Sequence, residues 1–107
     1  MVWGGGQPGL VQLGEGGDLH LFTLIRRERV RQRVLVKAGL LQFDCADPAV
    51  DHVHKLAVLA EKFGEVARAL RKWDGDNLRE ELIQVAAVAV AWLESCESQP
   101  TTSASKQ

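Results

Sequence analysis

The sequence predicts an all-α fold in which an antiparallel helix pair forms a four-helix-type bundle across an oligomer interface. Apolar residues recur at three- and four-residue spacing, and turn residues separate the periodic segments. Within residues 82–93 every residue except Gln84 is apolar, and a helix with no polar face must be buried on all sides. Three helices of one 107-residue chain do not easily enclose one of their own, so we expect a homodimer or homotetramer.

Length and composition predict one globular domain over residues 18–97. The chain is 46% hydrophobic and 25% charged, which is typical of a folded domain. Residues 1–17 contain seven glycines and predict a flexible lead-in, and residues 98–107 predict a disordered tail. The longest apolar stretch is far shorter than the roughly 20 residues of a membrane span, so we expect no membrane segment.

The two cysteines favour a reducing cytoplasm. Cys45 and Cys96 have no disulfide-framework spacing, and no secretory signal precedes them. Together with His52 and His54, Cys45 also fits no zinc pattern. We therefore expect a cytoplasmic protein without a zinc site.

The first helix is predicted from after Asp18 to about Leu41. Its period is weak, and residues 19–25 could instead be extended. The dipeptide Asp47-Pro48 then marks a loop over residues 43–50. Within this first segment, residues from 26 to about 41 are predicted to be helical, and only residues 19–25 have the extended alternative.

Two longer helices follow this loop. The second is predicted from the N-cap Asp51 to about Trp73, and the third from the cap Asn77 to about Cys96. The short turn at residues 74–76 makes the two helices antiparallel neighbours. The second helix carries an apolar stripe that we expect to face the core, formed by Leu56, Leu59, Ala60, Phe63, Val66, Ala67 and Leu70.

Acidic residues lie on both helices of this pair. Glu61 and Glu65 share a face of the second helix opposite Phe63. Pairing of the two helices about Gly75 places Glu65 level with Gln84 and puts Glu81 about one helical turn from Glu65. Carboxylates on facing helices repel unless a cation lies among them, and Mg²⁺ with a phosphate chain is one answer. The alternative is a solvated acidic face and an acidic helix N-terminus.

The segments around these acids resemble the motifs of the MazG-like nucleoside triphosphate pyrophosphohydrolases. Residues 56–67 resemble the first motif helix of that family, whose pattern is Glu-Glu-x-x-Glu. Residues 79–85 resemble its second motif, whose pattern is Glu-x-x-Asp. Residues 28–32 are similar to the first helix of that family. The resemblance covers residues 28–96.

This resemblance implies an all-helical oligomer that hydrolyses nucleoside triphosphates to monophosphate and pyrophosphate with Mg²⁺. It implies that Glu61 orients the attacking water and that Glu65, Glu81 and Gln84 are metal ligands. Lys62 stands where the family has a glutamate, and Gln84 where it has an aspartate. Because an ammonium group opposes a metal ion, we expect Lys62 to contact a phosphate, or catalysis to be lost.

Two further residues are expected at the substrate. Trp73 would stack on a base, although a core or interface role is the commoner one for such a residue. Arg29 belongs to the basic segment 26–37 and would meet phosphates.

Two other functional classes remain as alternatives. A non-catalytic nucleotide-binding or oligomeric interaction protein would keep the same fold. The basic segment could instead bind nucleic acid, but it lacks interleaved aromatic residues and the net charge is −1, so we do not expect that partner.

Overall fold

The computed structural model describes residues 17–98, which form three helices and contain no strand. Helix α1 spans Gly17–Lys37, α2 spans His52–Lys72 and α3 spans Gly75–Ser98. The all-α prediction is confirmed for this part of the chain, and residues 19–25 are helical. Apart from Gly17 and Ser98, the predicted lead-in and tail lie outside the described residues. None of the three helices is both long and apolar enough to cross a bilayer.

Side-chain caps fix the ends of the helix pair. Asp51 caps α2 as predicted, because its Oδ1 accepts a hydrogen bond from the backbone N of His54 across 3.0 Å. Helix α2 ends at Trp73, which adopts a left-handed conformation with φ 52°. The cap of α3 was predicted at Asn77, and this was wrong: Oδ1 of Asp74 accepts from the backbone N of Asn77 across 3.1 Å. The reversal at Trp73 brings the chain into α3 one turn earlier than expected.

Helix α3 is the central element, because it packs against both α1 and α2. The buried apolar residues are small, and they are Cys45, Ala69, Ala87, Val88 and Ala91. Small side chains allow helices to approach closely. Lys55 and Ser95 are fully buried as well, so the core of one chain is small and partly polar.

Most of the apolar stripe predicted on α2 faces away from this core, although Leu59 of the stripe packs against it. Leu56 and Phe63 are each 55% exposed, and Leu70 is 45% exposed. Helix α2 has two apolar faces, and the face that contains Val58 and Ala69 packs inward because its small residues permit close contact. The exposed face is called the outer stripe below, and it consists of Val53, Leu56, Ala60, Phe63, Ala67 and Leu70.

The expected enclosure of α3 is also incomplete in one chain. Leu82 is 49% exposed and Leu93 is 61% exposed, whereas Val88 and Ala91 are buried. The helix therefore presents apolar surface to its surroundings despite its central position.

Candidate functional site

The centre of the candidate site is a contact that Lys62 makes between α2 and α3. Its Nζ donates a hydrogen bond to Oε1 of Gln84 across 3.0 Å and lies 3.4 Å from Oε1 of Glu65. Lys62 and Glu65 lie one turn apart on α2, whereas Gln84 lies on α3. A single ammonium group therefore contacts both helices. Three of the residues predicted at the site therefore meet here.

Glu81 is the fourth predicted residue in this group. Burial raises the pKa of its carboxyl group above the ordinary value, and the neighbouring Glu65 raises the pKa further. Oε1 of Glu81 is buried and receives no hydrogen bond. Two ionised carboxylates repel each other and cannot form a hydrogen bond, so the pair of Glu65 and Glu81 favours the binding of a proton or a cation.

The register of the helix pair differs from the predicted one. Pairing about Gly75 placed Glu65 level with Gln84, and this was wrong. Gln84 instead faces Lys62, and Glu65 faces Glu81, so both pairs are centred on Trp73. The reason is the left-handed conformation of Trp73, which ends α2 and reverses the chain there.

Two clefts flank the contact between Lys62 and Gln84. The first has a volume of about 240 Å³ and lies between α1, the loop after it and α2, with Glu61 and Lys62 in its wall. The second has a volume of about 370 Å³ and lies between α1 and α3, with Gln84 in its wall. The two clefts share two residues of α1, Glu28 and Arg31.

Glu28 and Arg31 were not predicted as residues of the site. Oε2 of Glu28 accepts hydrogen bonds from Nη1 of Arg31 across 3.0 Å and from Nε2 of Gln32 across 3.2 Å. The Arg31 side chain is 55% exposed, so its guanidinium group is accessible to a ligand in either cleft. The available signal was the three-residue spacing of an acid and a base within the basic segment.

Arg29, predicted at the substrate, is instead engaged within the chain. It is 3% exposed, and its guanidinium group lies 3.0 Å from Oε1 of Glu94 and 3.2 Å from Oδ1 of Asp44. Burial lowers the pKa of Arg29, but the two acidic partners outweigh this effect and the net pKa is raised. In this arrangement the guanidinium group is committed to ion pairs.

The remaining predicted residues lie at the edges of the site. Glu61 is exposed and shares the wall of the first cleft with Lys62. Trp73 is 86% exposed at the turn between α2 and α3, and it lines neither of the two clefts. The roles expected for Glu61 and Trp73 stay predictions.

The oxygen atoms of this site offer a partial set of ligands for Mg²⁺. Glu65, Glu81 and Gln84 supply two carboxylates and an amide, and the unbonded Oε1 of Glu81 fits a cation. Lys62 already contacts two of these three residues, and no three His, Cys, Asp or Glu side chains within residues 17–98 form a group that could hold a metal ion. Because Mg²⁺ often binds through one or two carboxylates plus substrate phosphates, the residues fit a metal ion that arrives with a polyphosphate.

Comparisons with protein-family models, curated proteins and solved structures found no match to this chain. Membership of the MazG-like family therefore stays a prediction from the motif residues.

Proposed function

We propose that the chain is a MazG-like pyrophosphohydrolase that cleaves a nucleoside triphosphate, bound as its Mg²⁺ complex, to monophosphate and pyrophosphate. The main support is the juxtaposition of Glu65 and Glu81, with one unbonded carboxylate oxygen, beside a cleft lined by Arg31 and Lys62. Acids that hold a divalent ion and bases that contact phosphate oxygens are the groups that polyphosphate chemistry requires.

Each residue has a defined role in this proposal. Glu61, in the wall of the first cleft, accepts a proton from water as the water attacks phosphorus. The bond between the α- and β-phosphates breaks, and pyrophosphate leaves. Glu65 and Glu81, with help from Gln84, would hold Mg²⁺, which would supply positive charge against the phosphate oxygens when bound. Arg31 contacts phosphate oxygens.

A homo-oligomer is part of the same proposal. Within residues 17–98 fifteen large apolar side chains are exposed and only five mostly small ones are buried, which is unusual for a protein that acts as a monomer. The outer stripe repeats every seven residues, with Val53, Ala60 and Ala67 in one position and Leu56, Phe63 and Leu70 in the other. This heptad pattern is typical of helices that pair along a seam. We therefore propose that the outer stripe is covered by α2 of a second copy of the chain.

We place this activity in the cytoplasm. Both cysteines are free, and Cys96 is exposed. Exposed free thiols persist best in a reducing compartment.

Pyrophosphate release tests the enzymatic proposal. Pure protein is incubated with Mg²⁺ and a panel of canonical and damaged ribo- and deoxyribonucleoside triphosphates. We expect release with at least one of them, and a loss of about 100-fold or more in Glu61→Gln. Glu97→Gln, which alters an exposed acid at the end of α3, is the matched control and keeps full activity. If none of the triphosphates yields pyrophosphate, the proposal that the chain is an enzyme is rejected.

A non-catalytic nucleotide-binding or oligomeric protein is the second candidate. The observation that favours it is the ammonium group of Lys62, which occupies Glu65 and Gln84. Lys62→Glu restores the residue of the family motif. Release of pyrophosphate by this variant alone would mean that the natural chain has lost catalysis and kept the fold.

A further inference from the structure

We infer that Lys62 is a tethered cation that excludes free divalent metal ions from Glu65 and Gln84 and admits them only together with a polyphosphate. The inference rests on the proposed function and adds a condition on how metal and substrate bind.

The ammonium group of Lys62 already occupies oxygen atoms that a metal ion would use. Nζ of Lys62 lies 3.0 Å from Oε1 of Gln84 and 3.4 Å from Oε1 of Glu65. The Lys62 side chain is 25% exposed and that of Glu65 is 32% exposed, so water screens this contact only in part. A free metal ion would have to displace the ammonium group from both oxygens.

The charge of Lys62 also opposes a free metal ion. Glu65 and Glu81 carry two negative charges and Lys62 carries one positive charge, so the group is already half neutralised. A divalent ion added beside the ammonium group would meet a like charge a few ångströms away. That repulsion lowers the affinity of the site for a metal ion alone.

A bound polyphosphate would offer the ammonium group of Lys62 another position. Lys62 lines the first cleft together with Arg31, and its flexible four-carbon stem allows Nζ to turn towards an anion there. A phosphate chain in the cleft accepts hydrogen bonds from Lys62 and thereby releases Glu65 and Gln84. The released oxygens then bind the metal ion that accompanies the phosphates, so metal and polyphosphate each strengthen the binding of the other.

Calorimetric titration of the full chain with Mn²⁺ alone tests this inference. We expect wild type to bind weakly and Lys62→Met to bind about tenfold more tightly or better, because the competing charge is gone. Lys72→Met removes an exposed lysine in the last turn of α2 and serves as the control with wild-type affinity. Lys62→Gln gives the same comparison if the methionine variant does not fold. Equal affinity in wild type and the Lys62 variants overturns the inference.

A second measurement needs no variant. Thermal unfolding of wild type is followed with Mn²⁺, with pyrophosphate and with both, and we expect the combined shift to exceed the sum of the separate shifts. Additive shifts overturn the inference. Neither experiment measures hydrolysis, so a failed activity assay and a failed metal titration are separate results.

Discussion

Nη2 of Arg29 lies 3.0 Å from Oε1 of Glu94, and this ion pair joins the middle of α1 to the last turns of α3. The same guanidinium group contacts Asp44 in the loop and donates to Oε1 of Gln32 across 2.9 Å. Gln32 in turn donates to Glu28, which lines both clefts. A continuous series of side-chain contacts therefore links the candidate site to the far end of α3.

Removal of the Arg29 guanidinium group is expected to destabilise the fold. Arg29→Met leaves Asp44 and Glu94 without their cation and should lower the free energy of unfolding by about 2–3 kcal/mol. The loss stays moderate because Glu94 is partly exposed. Urea denaturation followed by circular dichroism measures it. Arg33→Met, an exposed position on the same helix, should change stability by less than about 0.5 kcal/mol, and equal losses would contradict the proposed role of Arg29.

Glu81 should make stability depend on pH. Its pKa is raised above the ordinary 4.5 by burial and by Glu65, so the folded chain holds this proton more tightly than the unfolded chain. Stability therefore falls as pH rises from the ordinary pKa through the raised one, and the unfavourable contribution is complete above that range.

The variant Glu81→Gln tests this sign. It removes the charge, so we expect a melting temperature about 2–5 °C above wild type at pH 7, and a gap that closes near pH 4. The same variant should release less pyrophosphate if Glu81 is a ligand of the metal ion, as proposed. Glu97→Gln is the control, with no pH-dependent gap. A lower melting temperature for Glu81→Gln at pH 7 would contradict the pKa shift.

The helix pair could be predicted from local signals, but its faces could not. Asp51 and Trp73 act on residues close to them in sequence, so both ends of α2 were predicted closely, whereas the start of α3 was predicted one turn too late. The helical period of α2 predicted that the stripe with the larger apolar side chains, such as Phe63, would face the core. The structure buries the face with Ala69, because close approach to α3 depends on small size.

The polar part of the site was harder to predict for a different reason. The partners of Arg29 lie in the loop and, 65 residues away, in α3, and no local pattern predicts such a contact. The carboxylates of Glu65 and Glu81 were predicted from helical spacing, and Gln84 was predicted from the resemblance to the MazG-like motifs. The predicted pairing of these positions across α2 and α3 was shifted. It depends on the residue at which the chain reverses, which is Trp73 and not Gly75.

The position of the α3 cap offers a direct test of that reversal. Asp74→Ala removes the acceptor for the backbone N of Asn77 and should lower the free energy of unfolding by about 1 kcal/mol. Asn77→Ala should change it by less than about 0.5 kcal/mol. Chemical denaturation of the two variants side by side gives the comparison. If Asn77→Ala were the more destabilising of the two variants, Asn77 would be the cap of α3 and the predicted register of the helix pair would be correct.

The outer stripe gives the sharpest test of the proposed oligomer. Phe63 is 55% exposed at the centre of the stripe, so Phe63→Glu would place one charge from each copy in the seam between paired α2 helices. We expect light scattering to show that wild type has the mass of two or more chains and that Phe63→Glu has the mass of one.

Leu40→Glu is the matched control for this variant. Leu40 is 72% exposed in the loop after α1 and lies outside the stripe, so the same change of an apolar residue to a charged one should leave the oligomer intact. A monomeric wild type would remove the oligomer from the proposal. Loss of assembly in both variants would show that the contact depends on general apolar exposure. Loss in Phe63→Glu alone would locate the interface on α2, because only that variant charges the heptad seam.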